Sequence, residues 1–99
     1  MATRPQIDET YNYMDAVFRL TLGKHPDITC ALYGGDFTKS LEQAQRDKHD
    51  YILDGLGFRA GMRMLDIGCG WGPLLSAAEK RGGHAVGLTL SSKQAKACR

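Results

Sequence analysis

The chain lacks the features that would place it in several large protein classes. No apolar run approaches the ~18–20 residues of a membrane span. The start, Met1-Ala2-Thr3-Arg4-Pro5-Gln6-Ile7-Asp8, has none of the apolar core of a secretion signal. An excess of one charge is also missing. Thirteen Lys and Arg against 11 Asp and Glu leave +2, too little to point to nucleic acid or an acidic membrane surface as a partner. Cys30, Cys69 and Cys98 are odd in number and form no CxxC pair. That argues against a disulfide framework and a zinc site, and for a reducing cytoplasmic compartment. His25, His49 and His84 share no ligand spacing, so no metal is expected. Repeats, low-complexity tracts and like-charge blocks are absent. What remains is an ordinary globular composition, 42% hydrophobic and 24% charged, in 99 residues, room for one small domain and not two.

Glycine organises the chain. Nine of its 12 glycines lie from Gly55 onward, so the second half is built around tight turns and the first half reads as helical. Tyr11, Met14, Phe18 and Leu22 recur at helical steps and predict a helix over residues 8–22, ended by Gly23. An irregular stretch follows at 25–37, long for a simple connection. Ser40-Leu41-Glu42-Gln43 reads as a capping box. It opens a helix with an apolar stripe of Leu41, Ala44, Ile52 and Leu56, flanked by the stem of Lys48. On that helix His49 sits among Arg46, Asp47, Lys48 and Asp50, which predicts a solvated face. Residues 62–67 read as a strand, Pro73 as the first turn of a helix, and residues 84–89 as a second strand. Ser91-Ser92-Lys93-Gln94 is a second capping signal, opening a helix in which the sequence stops. A strand–helix–strand unit of this size predicts a right-handed parallel crossover. Two strands are fewer than the about 5–6 of an average sheet, so the expectation is the start of an α/β sheet cut from a larger fold.

The informative segment is Asp66-Ile67-Gly68-Cys69-Gly70-Trp71-Gly72. A strand carries Asp66 to its carboxyl edge, and three alternating glycines let a ligand lie against the main chain. The helix that follows points amides and its positive dipole end at the same place. A ligand bearing both an amine and a carboxylate, such as the amino-acid end of a methionine derivative, would suit this turn. A purely structural turn would not need three spaced glycines. A dinucleotide site would show GxGxxG and an acid after the second strand, where Thr89-Leu90-Ser91 stands instead. No GK[ST] follows, which excludes a nucleotide-triphosphate loop of the Walker type. The DxGxGxG form of an S-adenosylmethionine turn fits best.

Leu65-Asp66-Ile67-Gly68-Cys69-Gly70-Trp71-Gly72, with Val86-Gly87-Leu88-Thr89-Leu90-Ser91 and Gln94-Ala95, resembles the cyclopropane fatty acid and mycolic acid synthases. These are class I methyltransferases. The likeness extends upstream through Tyr11-Asn12, Thr29-Cys30-Ala31 and Leu41-Glu42-Gln43-Ala44-Gln45 with Lys48. It implies a Rossmann-like sheet, here two parallel strands, preceded by a helical cover over residues 1–57, with residues 58–99 as the first unit of the S-adenosylmethionine-binding domain. It implies that Asp66, Gly68, Cys69, Gly70, Trp71 and Gly72 surround the methionine half of the cofactor. Thr89, Leu90 and Gln94 would lie along its ribose and adenine, and Thr29 would touch it. Cys30 would take the catalytic place, its backbone helping to hold a bicarbonate ion that serves as base in the complete enzyme. Ile28, where the family usually carries tyrosine, and Gly34-Gly35, where it is more acidic, are departures.

The remaining candidates read as structural. Cys69 has no base beside it in sequence and reads as a small packing residue. Trp71 reads as packing beside the turn, and Tyr11 and Tyr13 as cover or core, with Tyr11 a candidate border of the substrate cavity. The resemblance implies methyl transfer to an unsaturated acyl chain. Two alternatives stay open: another small acceptor such as an amine, and a non-catalytic piece that binds cofactor weakly or joins a second polypeptide that completes the sheet.

Overall fold

The computed structural model describes residues 1–23 and 26–99. Two helices, α1 (Arg4–Leu22) and α2 (Leu41–Gly55), precede β1 (Arg63–Ile67), α3 (Pro73–Lys80), β2 (His84–Leu88) and the short α4 (Ser92–Ala97). β1 and β2 pair in parallel from Arg63↔His84 to Ile67↔Leu88, with α3 as the crossover. The expected strand–turn–helix–strand order is present with its parallel pairing. Among the described residues no helix is long and apolar enough to cross a membrane, and no group of three or more His, Cys, Asp and Glu is placed to hold a metal ion. Of the irregular stretch at 25–37, His25 lies outside the described residues.

α1 starts at Arg4, earlier than its apolar spacing predicts. Thr3 and Gln6 form a reciprocal capping box, and proline occupies the first turn. The two predicted boxes are half made. Ser40 Oγ accepts the Gln43 amide at 3.1 Å, but the Gln43 side chain turns outward to Asp47 and Arg46 at 2.7 and 2.9 Å. Those charged neighbours at i+4 and i+3 outcompete a neutral amide. Likewise Ser91 Oγ accepts the Gln94 amide at 3.2 Å, while Gln94 Oε1 accepts the Thr89 hydroxyl at 2.6 Å.

The face α2 buries differs from the predicted stripe. Ala44, Gln45, His49 and Leu53 are buried, whereas Leu41 and Leu56 are 47% and 64% exposed. The solvated face expected around His49 is therefore corrected. The cause is not local: the strap formed by residues 26–32 lies along this flank, its Leu32 amide donating to the Ala44 carbonyl at 3.0 Å.

The apolar core lies between α2, α3 and one face of the sheet. Leu53, Phe58 and Ala78 are its buried centre, with Met62, Met64, Leu74, Ala77 and Ala85 packed around them. The other face of the sheet is bare: Leu65, Ile67, Val86 and Leu88 are 52–78% exposed. Parallel sheets normally carry cover on both faces.

Candidate functional site

β1 delivers the chain into the glycine turn, and β2 runs beside it. The amides of Gly68 and Cys69 both donate to the Leu88 carbonyl, at 2.8 and 3.0 Å, and the Gly72 amide donates to Cys69 at 3.0 Å. Those bonds stitch the turn to β2 and leave the amides of Gly70 and Trp71 without a partner among the described residues. Gly68 and Gly70 adopt φ of +85° and +57°, and a Cβ on either would meet nothing within 4 Å. The open space beside them is where a ligand can touch the main chain. Gly87 has a different reason to be glycine. A Cβ there would lie 2.5 Å from Cys69 Sγ and 2.7 Å from Leu75 Cδ1, so the turn packs directly on the β2 backbone.

A cavity of about 680 Å³ opens on this turn, within the ~300–1,000 Å³ of small-molecule sites. Of the residues read from the sequence, Thr29, Gly68, Cys69, Gly70, Trp71, Thr89, Leu90 and Gln94 line it, and Tyr11 borders it. Asp66, Gly72 and Cys30 do not line it. Asp66 is half-buried on the α3 side of β1. Burial pushes its carboxyl above the usual range, and no hydrogen bond satisfies it among the described residues. Gly72 is the left-handed N-cap of α3. Cys30 is exposed, one residue beyond the cavity wall.

Cys69 is buried against β2, and desolvation raises its thiol to about 11. It is a neutral packing group at physiological pH, as its sequence context indicates. Trp71 is 2% exposed. Its indole N–H donates to Asp15 Oδ1 of α1 at 2.7 Å, and Tyr11 and Phe18 meet its ring edge-on at 6.3 and 5.7 Å. Burial works against the Asp15 charge, but the bonds from Trp71 and Arg19 outweigh it and hold the carboxyl below its ordinary range. α1 also caps α4. Asp8 accepts the Ser92 amide at 2.6 Å, and Asn12 Oδ1 accepts from Ser91 Oγ and the Lys93 amide at 3.0 and 3.2 Å.

Ile28, noted as a departure from the family pattern, also lines the cavity with Pro26, as do Ile7 and Asp27, which sequence reasoning passed over. A signal for Asp27 was available. Asp-x-Thr favours an Asx turn, and Asp27-Ile28-Thr29 forms one, with Asp27 Oδ1 accepting the Thr29 amide at 3.0 Å and its hydroxyl at 2.6 Å.

A parallel βαβ unit entered through a glycine turn, with helices covering that turn, is the opening of a class I methyltransferase fold. A family model described as mycolic acid cyclopropane synthetase matches residues 2–99, and the chain belongs to that family. A probable fatty acid methyltransferase of Mycobacterium tuberculosis is 39% identical over 90 residues, 91% of this chain and 21% of that one. Cyclopropane mycolic acid synthase 1 of the same organism is 43% identical over 86 residues, covering 86% of this chain and 30% of that one. A crystal structure of a mycolic acid cyclopropane synthase complexed with SAH and CTAB superposes with a TM-score of 0.84 at 38% identity, over 97% of this chain and 34% of that one. The chain thus spans about a fifth to a third of the length of these relatives.

Proposed function

We propose that the chain forms the S-adenosylmethionine-binding opening of a methyl-transferring enzyme whose acceptor is an unsaturated acyl chain. The observation that carries this is the glycine turn: Gly70 and Trp71, whose amides have no partner among the described residues, line a cavity together with Thr89, Leu90 and Gln94. Family membership and the SAH named with a solved relative support it. In this reading residues 1–57 are the cover and residues 58–99 the floor of a cytoplasmic enzyme.

The residues fit the cofactor. The amides of Gly70 and Trp71 at the positive end of α3 would take the carboxylate of its amino-acid end. Asp66, at the carboxyl edge of β1 and outside the cavity lining, would when ionised add negative field for the ammonium and sulfonium. Thr89, Leu90 and Gln94 would flank ribose and adenine, and Thr29 would close over it from the strap. The bound cofactor supplies an already activated methyl group, so the protein's task is alignment and exclusion of water. Trp71, Tyr11 and Ile7 build the apolar cover that does the second. Cys30 lies beside this wall, where its backbone would help hold bicarbonate in the complete enzyme.

The bare sheet face of Leu65 and Val86 supports one addition: the sheet works when further polypeptide covers it, supplied by the same chain or a second one. Titration calorimetry with S-adenosylhomocysteine tests the cofactor reading. Micromolar binding is expected, reduced at least tenfold in Gly70→Val, whose φ of +57° a β-branched residue resists. No binding by the parent chain would refute it. Transfer of label from methyl-labelled cofactor to unsaturated phospholipid, against an amine acceptor, decides the substrate.

A further inference from the structure

A dense polar cluster lies outside the glycine turn, where the strap of residues 26–32 crosses α2. Asp27 is its centre. Its Oδ2 accepts from Lys48 Nζ and His49 Nε2, both at 2.8 Å. An ionised carboxylate only accepts, so His49 Nε2 carries the hydrogen. Asp27 Oδ1 takes the Thr29 amide and hydroxyl. Gln45 Nε2 donates to the carbonyls of Asp27 and Thr29 at 3.3 and 2.8 Å. Lys48 Nζ reaches Gln45 Oε1 at 2.7 Å and also the Thr29 hydroxyl. The side chains of Asp27, Lys48 and His49 are only 9%, 17% and 11% exposed.

This is more than a connecting loop requires. The strap has no regular secondary structure of its own, yet one stretch of α2, from Gln45 to His49, holds it from three side chains. Breaking a buried carboxylate's partners leaves an uncompensated charge, so the arrangement is close to all-or-none. The same carboxylate turns the strap so that Pro26, Asp27, Ile28 and Thr29 form one wall of the cavity. It also fixes the Thr29 hydroxyl, whose proton goes to Asp27. A ligand therefore meets that hydroxyl as an acceptor only.

We propose that Asp27, gripped by Lys48 and His49, is a positioning residue that holds the Thr29 strap against the cofactor cavity. The proposal rests on the cofactor reading above and adds residues to it that act through Thr29. Loss of the grip leaves the glycine turn intact and removes one wall, so affinity falls while the βαβ unit persists.

Two measurements on the purified chain test it. Amide exchange in the parent chain should show the Thr29 amide protected at least tenfold over an unstructured amide, and further protected by S-adenosylhomocysteine. Calorimetry with the same ligand should show affinity lowered about tenfold in Asp27→Asn and in His49→Leu. His49→Gln, which restores an N–H donor, should stay within about threefold of the parent. Exchange at Leu65 and Val86 in the sheet should be unchanged in variants that fold. An unprotected Thr29 amide in the parent overturns the proposal without any variant. Folded Asp27→Asn that binds like the parent also overturns it, as does His49→Gln behaving like His49→Leu. Failure of the parent to bind at all refutes the cofactor reading and the proposal with it, and is distinguished from the other failures because it appears before any substitution.

Discussion

Replacing Asp15 with alanine should detach α1 from the glycine turn. Asp15 sits at the middle of the helix with its side chain 12% exposed, and its Oδ1 accepts from Trp71 Nε1 and Arg19 Nε at 2.7 and 2.9 Å. The bond to the indole is charge-assisted, worth about 1.5–3 kcal/mol, and its loss leaves a buried N–H unsatisfied. The ion pair with Arg19 adds about 0.3–0.5 kcal/mol. Alanine returns about 0.5 kcal/mol through its better helix propensity. The net loss is about 2 kcal/mol, which lowers the thermal midpoint of a domain this size by about 8–16 °C. The chain has one tryptophan, and it is the residue affected, so its emission in a urea titration reads both its environment and the stability. The variant should unfold at a midpoint lower by about 1–2 M urea, with native-state emission shifted to the red. Asp15→Asn, which keeps an acceptor and loses the charge, should fall between. A loss below about 0.5 kcal/mol with unchanged emission would refute the claim that this bond docks the helix.

Three other outcomes follow from the same geometry. Burial pushes the Asp27 carboxyl up, but hydrogen bonds from His49, Lys48 and Thr29 hold it well below the ordinary range. Its stabilisation is therefore full above the unfolded value of about 3.9 and is lost as pH falls below it; Asp27→Asn should flatten the acid arm of a stability–pH curve, and an unchanged arm would count against the grip. Gly87→Ala places a methyl 2.5 Å from Cys69 Sγ and 2.7 Å from Leu75 Cδ1, which should cost about 1–3 kcal/mol by overpacking, read as a lowered urea midpoint. Leu65→Thr with Val86→Thr, at positions 58% and 59% exposed, should lessen concentration-dependent self-association in sedimentation while leaving the secondary structure unchanged; undiminished association would mean that the bare sheet face is not where copies meet.

The half of the molecule around the glycine turn was legible because its instructions are local. The spaced glycines, Pro73 and the Ser91 cap each act within a few residues, and the structure places them as the sequence indicates. The helical half was less legible where partners are distant. Periodicity alone put Leu41 and Leu56 inward on α2 and His49 outward, because nothing near them in sequence announces a strap carrying Asp27, 22 residues from His49. The Gln43 and Gln94 side chains followed stronger or nearer partners than the cap amides expected of them. At the site, residues on the turn and β2 were found by motif. Asp27 lay just outside the Thr29-Cys30-Ala31 element, and its own signal was an Asx pattern.

The bonds from Asp8 and Asn12 to the start of α4 join residues 79–84 positions apart. Contacts of such long separation carry a loop-closure cost that neighbouring contacts do not. Since α4 carries Gln94 and α1 carries Tyr11, two walls of the cavity come together at that contact. The contact between α1 and α4 acts as a clasp, and what it fastens is the ligand's enclosure.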